Sequence, residues 1–329
     1  MKRIYPEDKS KKKNPLIKEV WESKIKQSPS KNTHISYSSF STYQKCPKLW
    51  DLQYHQKIVP FIQSVYTIFG TAMHETIQEW LEVLYYDKVK TANEMDINKL
   101  LEDNMTKAYK TALAVNKGMP IQGEYPAKKP LDQTTFIRFF NEGKDILTFL
   151  RKNRKAYFPS KTTQLAGIET LLYQDIKPGV KFKGLVDLVL YHPNSERWTI
   201  VDIKTSTRGW NDTNKKNPNL KAQVVLYKEY FAKQFNISKD VIDVKFFIVK
   251  RQVPRNAEFA SMQKRVQEFS PSSGPRIAKH TLTELDKFLS EVLGPDGKLI
   301  DKEYKCNSAF GKCSHCEPFL VLEMIEKVT

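Results

Sequence analysis

The sequence predicts an α/β protein, a mixed sheet flanked by helices with a helical portion placed before it. Three observations carry that expectation. Apolar residues recur at helical spacing through the first half of the chain; near residue 160 the period shortens to strand-like runs; and those runs lead into one more helix and one more strand. The 329 residues suffice for a sizeable core and one or two domains. With 40% hydrophobic, 12% aromatic and 28% charged residues, the composition is that of a soluble globular protein.

Residues 1–32 are lysine-rich and aperiodic, and read as a flexible basic arm. Residues 33–160 form the helical portion. It opens at a serine-rich helix start, Ser36-Tyr37-Ser38-Ser39-Phe40-Ser41-Thr42-Tyr43, and continues in a helix over about 70–86, where Met73, Ile77, Trp80, Leu81 and Leu84 share a face. Three prolines and two glycines make 117–133 a loop. A third helix over about 134–156 carries an apolar stripe of Phe136, Ile137, Phe140, Leu147 and Leu150.

Residues 161–329 form the core. Strands are expected at 165–174, 181–191 and 197–204, with Pro193-Asn194-Ser195 turning the second into the third. A loop at 205–218, a helix at 219–235 and a strand at 243–250 complete a β-β-β-α-β order, the minimum for a sheet with a crossover helix. Residues 251–279 are polar and basic, and read as a long loop or lid. A last helix is expected from Thr281, with Glu284 completing a capping box. No internal repeat is seen.

The 54 Lys+Arg against 37 Asp+Glu leave a net charge of +17, which points to a polyanionic partner, nucleic acid ahead of a membrane surface. The start, MKRIYPEDKSKKK, lacks the apolar run of a signal peptide, and no stretch reaches transmembrane length, so the expected location is the cytoplasm, of a bacterium or of a virus-infected host. In that reducing compartment four cysteines suit a metal site better than a disulfide framework. No Gly-x-x-x-x-Gly-Lys-Ser/Thr run is present, which argues against a built-in nucleotide-driven motor.

The chemistry concentrates in two strands. Asp187 lies inside Leu185-Val186-Asp187-Leu188-Val189-Leu190 and Asp202 inside Thr199-Ile200-Val201-Asp202-Ile203-Lys204. Burying even a neutral polar group in such a run costs about 2–7 kcal/mol unless it is partnered, and a carboxylate costs more. Asp202 and Lys204 are two apart, so on a strand both point the same way. Two carboxylates and an ammonium on one patch suit phosphodiester hydrolysis: the carboxylates hold Mg²⁺ or Mn²⁺, and Lys204 steadies the charge that builds on the phosphate. Glu169, one strand earlier, offers a third carboxylate. The bland alternative for each Asp is a solvent-facing residue on a half-buried strand, with Lys204 as its neighbour in charge.

Gly184-x-x-Asp187, then Asp202-x-Lys204, then Gln223-x-x-x-Tyr227 resembles the RecB-like branch of the PD-(D/E)xK nuclease superfamily. The resemblance implies a restriction-endonuclease-like core with Asp187, Asp202 and Lys204 as the catalytic set, and Gln223 and Tyr227 facing them to position substrate or Lys204. Gly70-Thr71-Ala72-Met73-His74-Glu75 is similar to the helix start of the same branch, which implies that His74 joins Asp187, Asp202 and Ile203 around the metal. Taken by itself, a lone His beside Met73 is more often structural, and Gln223 with Tyr227 would be an ordinary amphipathic pair.

Cys46-Pro47 after the serine-rich helix is similar to AddB-type nucleases, and in iron–sulfur members one N-terminal and three C-terminal cysteines hold a [4Fe–4S] cluster. That implies Cys46, Cys306, Cys313 and Cys316 as its ligands. The spacing here, C-x₆-C-x₂-C, departs from the usual C-x₂-C and longer gap, which leaves room for Zn²⁺, with His315 able to replace a thiolate, or for four free thiols.

Around the site, Arg208, Trp210, Lys215, Lys216 and Lys221 lie on one loop and Arg251, Arg255, Lys264, Arg265, Arg276 and Lys279 on another. Cations that follow phosphates, with Trp210 to stack on a base, suit single-stranded DNA; solvated mobile loops are the alternative. The expected activity is an exonuclease on single-stranded DNA or DNA ends, working beside proteins of recombination, repair or replication. The rival readings are a structure-specific endonuclease and a non-catalytic DNA-binding subunit of the same fold.

Overall fold

A six-stranded mixed sheet divides the helices into two layers. The computed structural model describes residues 14–23, 33–61, 63–116, 120–124, 129–254, 260–307, 313 and 316. The strands are β1 (Thr33–Ile35), β2 (Gln164–Lys177), β3 (Val180–His192), β4 (Arg197–Ser206), β5 (Ile242–Lys250) and β6 (Val266–Phe269). They run in the order β1-β3-β4-β5-β6, with β2 also paired to β3. The β2–β3–β4 meander is antiparallel, β4 and β5 are parallel, and β6 returns antiparallel to β5. The β3–β4 turn falls at Pro193–Glu196 as its residue types predict, with Glu196 left-handed at φ 53°.

The helices are α1 (Pro15–Glu22), α2 (Tyr37–Lys45), α3 (Pro47–Trp50), α4 (Val65–Tyr86), α5 (Val89–Glu94), α6 (Ile97–Val115), α7 (Gln133–Lys152), α8 (Arg154–Tyr157), α9 (Asp212–Lys216), α10 (Pro218–Phe235) and α11 (Pro275–Val292). Their starts follow side-chain capping. Ser64 and Thr67 form a reciprocal capping box for α4, Asp132 caps α7, and Asn217 followed by Pro218 starts α10. Asn236, left-handed at φ 51°, stops α10.

Because β4 and β5 are covered on both faces, they read as nearly unbroken apolar runs. Trp198, Ile200, Phe246 and Ile248 face α10, α2 and α11, where Leu226, Phe231, Phe40 and Phe288 complete one core. Val201, Ile203, Phe247 and Val249 face α4 and α7, where Trp80, Leu81, Ile146 and Leu147 complete the other. The parallel β4–β5 pair is joined by α9 and α10, which makes the predicted crossover.

Four expectations need correction. Residues 15–22 are not a loose arm: Asn14 and Pro15 start α1, which buries Ile17, Val20 and Trp21; the rest of 1–32 apart from Asn14 and Ser23 lies outside the described residues. Ile137 stays exposed on α7, whose buried stripe instead uses Phe139, Ile146, Leu147 and Leu150. Residues 251–279 are not one long lid, since β6 extends the sheet at 266–269. The last helix starts at Pro275, so Thr281 is buried mid-helix and Glu284 pairs with Lys287 rather than closing a cap.

Candidate active site

The site forms where the sheet splits. Pairing between β3 and β4 ends at Leu188↔Val201, and one residue further on each strand stand Asp187 and Asp202. From there β3 runs on beside β2 and β1 while β4 stays with β5, leaving a fork. The parting strands expose backbone, and Asp187 fills the gap: its Oδ2 accepts from Ile203 N at 2.6 Å. Lys204 Nζ reaches Asp202 Oδ2 at 2.8 Å and donates to Gln223 Oε1 at 2.9 Å. Gln223 Nε2 in turn donates to the Tyr227 hydroxyl at 3.2 Å. Gln223 and Tyr227 thus meet Lys204 from α10, on one side of the sheet. His74 comes from α4 on the other, its Nδ1 3.5 Å from Asp187 Oδ2.

Gly184 makes this approach feasible. A Cβ there would lie 2.9 Å from the Tyr227 ring and 3.0 Å from Phe182. The glycine of the Gly-x-x-Asp pattern therefore lets α10 sit close enough for Tyr227 to face the fork.

The electrostatics are unsettled in a way that suits a cation. Burial pushes Asp187 up to about 7, against the pull of Lys204 and with the push of Glu169. Burial raises Asp202 to about 6, again opposed by Lys204 and reinforced by Asp187. Burial works against the Lys204 ammonium, but the two carboxylates outweigh it and hold its pKa up. His74 is pushed down by burial and then by Lys204, which favours the neutral imidazole that ligates metals. One ammonium faces two carboxylates, and Asp202 Oδ2, on a residue only 1% exposed, makes its ion pair without a well-aligned hydrogen bond. Two buried carboxylates that share a single ammonium make an acidic site that fits a divalent cation. His74 and the Ile203 N–H both meet Asp187, and Asp202 precedes Ile203 on the same strand, so all four expected metal residues lie at the fork.

The expected DNA contacts divide. Arg208 and Lys216 are exposed and Lys215 is half-buried, all on the segment that leaves β4. Trp210 is half-buried, its ring 4.7 Å from Phe246 and its backbone N–H held by Gln267. Lys264, Arg276 and Lys279 are exposed, and Arg255 lies outside the described residues. Arg265 pairs with Asp145. Arg251 is corrected outright: at 2% exposure it cannot follow phosphates. It pairs with Glu142 at 2.5 Å, donates to Thr207 Oγ1 at 2.7 Å and lies over Phe139, tying the helical layer to the end of β4.

Far along the chain from this fork, Cys46, Cys306, Cys313 and Cys316 converge, their sulfurs all within 4.8 Å of one another. Cys46 sits between α2 and α3, its Sγ accepting from Leu49 N. Burial, with the neighbouring thiols, pushes Cys46 up to about 11 and raises Cys316 as well. Three buried thiols and the half-buried Cys306 in one spot are the donor set of a metal centre, since a cation would stabilise the thiolates that burial disfavours. His315 lies outside the described residues.

Compared with known proteins, the chain matches the PD-(D/E)XK nuclease superfamily over residues 34–318. It belongs to that superfamily, whose nucleases use divalent metals. The chain is also similar to the crystal structure of a presumed exonuclease from Eubacterium rectale, at 12% identity and a TM-score of 0.44 over 79% of this chain and 83% of that one. No curated protein matches it. Among the described residues, no helix is long and apolar enough to cross a membrane.

The sequence missed Gln78. It is 2% exposed, and its Nε2 donates to Glu169 Oε1 at 2.7 Å and to the Asp187 carbonyl at 3.3 Å. Its only signal was a place one turn after His74 on the same helix.

Proposed function

We propose that this chain is a Mg²⁺- or Mn²⁺-dependent deoxyribonuclease of the RecB-like branch, an exonuclease acting on single-stranded DNA or on DNA ends in recombination, repair or replication. The observation that carries the reading is the fork, where Asp187, Asp202, Lys204 and His74 converge from both sides of the sheet. Asp187, Asp202, His74 and the Ile203 backbone would hold the ion, which supplies a nucleophile at neutral pH and neutralises phosphate charge. Lys204, aimed by Gln223, stabilises charge as the phosphodiester becomes pentavalent. Tyr227 fixes Gln223 and closes the α10 side. Arg208, Lys215 and Lys216 lead phosphates toward the fork, with the half-buried Trp210 beside them.

The cysteines would hold a [4Fe–4S] cluster that fastens the two ends of the domain and takes no part in hydrolysis. Their closeness favours a second reading, Zn²⁺, because a single tetrahedral ion with bonds of about 2.3 Å sets sulfurs about 3.8 Å apart. Brown protein with iron and sulfide supports the cluster; colourless protein with one zinc per chain supports the ion.

End-labelled DNA tests the activity. Linear single strands should be degraded to short products with Mg²⁺ or Mn²⁺, and circular single strands should survive. Cutting of circles would make the enzyme an endonuclease, and no cutting under either metal would contradict the reading.

A further inference from the structure

Past the fork β2 and β3 run on as a pair, and their two faces differ. Phe182, Gly184 and Val186 turn toward α10, where Phe182 and Val186 join the core and Gly184 meets Tyr227. The residues between them, Lys181, Lys183 and Leu185, therefore project from the opposite face. Cross-strand pairing sets Leu171 beside Leu185 and Tyr173 beside Lys183, and the parallel register of β1 adds His34 next to Lys181. On that face Leu185 is 42% exposed, and among the described residues it is the only large apolar side chain so exposed within a strand. Leu171, Tyr173 and Lys183 are half-buried around it.

The position of this apolar spot argues for a ligand. Leu185 lies two residues before Asp187, about 7 Å along the strand from the carboxylate residue that meets His74. β1 pairs with residues 180–182 of β3 and β4 with 188–192, so residues 183–187 between them have no strand on their fork side. Leu185 stands in the middle of that gap. The charge around it is positive. Lys181 is matched by Asp175 at 2.7 Å, but Lys183 has no carboxylate partner among the described residues. The pKa of His34 is lowered by partial burial and then by Lys183 and Lys57, as a cationic neighbourhood requires. An apolar platform beside an unmatched lysine, opening onto the fork, suits a single strand of nucleic acid, whose unpaired bases offer flat faces while its phosphates seek cations. A paired base inside a duplex keeps that face stacked. The other branch of the fork carries Arg208, Lys215 and Lys216, so a strand that reaches from one branch to the other crosses the site.

We propose that this face of β2 and β3 is a nucleotide subsite, where an unpaired base of the substrate strand rests on Leu185 and Tyr173 and a neighbouring phosphate pairs with Lys183. It rests on the reading of the chain as a nuclease of single strands, and adds the residues that favour an unpaired base. The test measures binding by the full-length protein in chelator, so that nothing is cut. The probes are fluorescein-labelled oligothymidylate and the same strand with abasic sites. Wild type should bind the intact strand about fivefold or more tightly than the abasic one, the low end of what base stacking contributes. Leu185→Ala should remove most of that gap while the melting temperature holds, since the side chain is already exposed. Leu185→Phe, with a larger flat face, should keep or widen it. Lys183→Ala should weaken both strands alike and reduce the slope of log affinity against log salt by about 0.7. A gap unchanged in Leu185→Ala, or no gap in wild type, would overturn the subsite and leave the nuclease reading, which stands or falls on cleavage with Mg²⁺. Unchanged DNA affinity with an altered oligomeric state in Leu185→Ala would make the face a contact between copies of the chain, and would overturn the subsite as well.

Discussion

The fork and the cysteine clasp both gather metal-binding side chains, yet they are built in opposite ways. The clasp is closed: four like thiols, mutually within 4.8 Å, drawn from the loop after α2 and from the far end of the chain. The fork is open and mixed: two carboxylates, an imidazole and a backbone, with an ammonium already resting on one carboxylate at 2.8 Å. A closed set of equal donors serves to fasten, whereas an open set with unequal charges keeps room for a substrate. Stability should therefore depend on the clasp, and chemistry on the fork.

The largest break in that comparison comes from Cys313→Ala. A metal on these thiols closes the chain from Cys46 to Cys306, and in a cross-link model the entropic contribution is about 5 kcal/mol. The variant should lose bound metal, melt far lower and become sensitive to protease, while the fraction that remains folded still cuts DNA. Equal melting curves for variant and wild type would leave the cysteines as ordinary thiols. Lys204→Ala should do the reverse, costing about 10²-fold in turnover, as for loss of a transition-state stabiliser, with the melting temperature nearly unchanged. A comparable loss of DNA affinity with normal turnover would reassign Lys204 to binding.

Gly184→Ala sharpens the geometry. The added methyl would meet the Tyr227 ring at 2.9 Å, so α10 must shift and loosen Gln223 from Lys204. Turnover should fall about tenfold, since even a displacement of about 1 Å near reacting groups is costly. The smallest effect is one of pH. Asp187 and Asp202 have pKa values raised to about 7 and about 6, above an ordinary 3.8. Native, ion-free protein thus binds more protons than the unfolded chain between about pH 4 and 7, and its stability should fall as pH rises through that window. Mg²⁺ competes with those protons, so its affinity should fall as pH drops below about 7. Metal affinity that is flat from pH 8 to 5 would show that neither carboxylate holds the ion.

How much of this was legible depended on whether a signal was local. Strand periodicity and the Pro193–Ser195 turn located the meander, and two-residue spacing placed Asp202 and Lys204 together, because those are properties of neighbouring residues. The start of α11 at Gly274-Pro275 is also a local signal, but Thr281 with Glu284 imitates a capping box from inside the helix. The four residues of β6 were too few to show a period within a polar stretch. Arg251 could not be told from its exposed neighbours, since its partners Glu142 and Glu124 lie on the helical layer. Glu169 was the hardest. Its place opposite Asp187 comes with a left-handed φ of 50° inside β2, and regular strand geometry is what sequence reading assumes.

The central claim, that the fork is a hydrolytic metal site, is tested most directly by comparing wild type and Asp202→Asn on end-labelled single-stranded DNA with Mg²⁺. The substitution keeps the shape of a side chain that is 1% exposed and removes a buried charge, so folding and DNA binding should be retained. Cleavage by the wild type that vanishes with a chelator, and is absent in Asp202→Asn at equal DNA occupancy, is the predicted result. Cleavage by Asp202→Asn at near the wild-type rate would contradict the account.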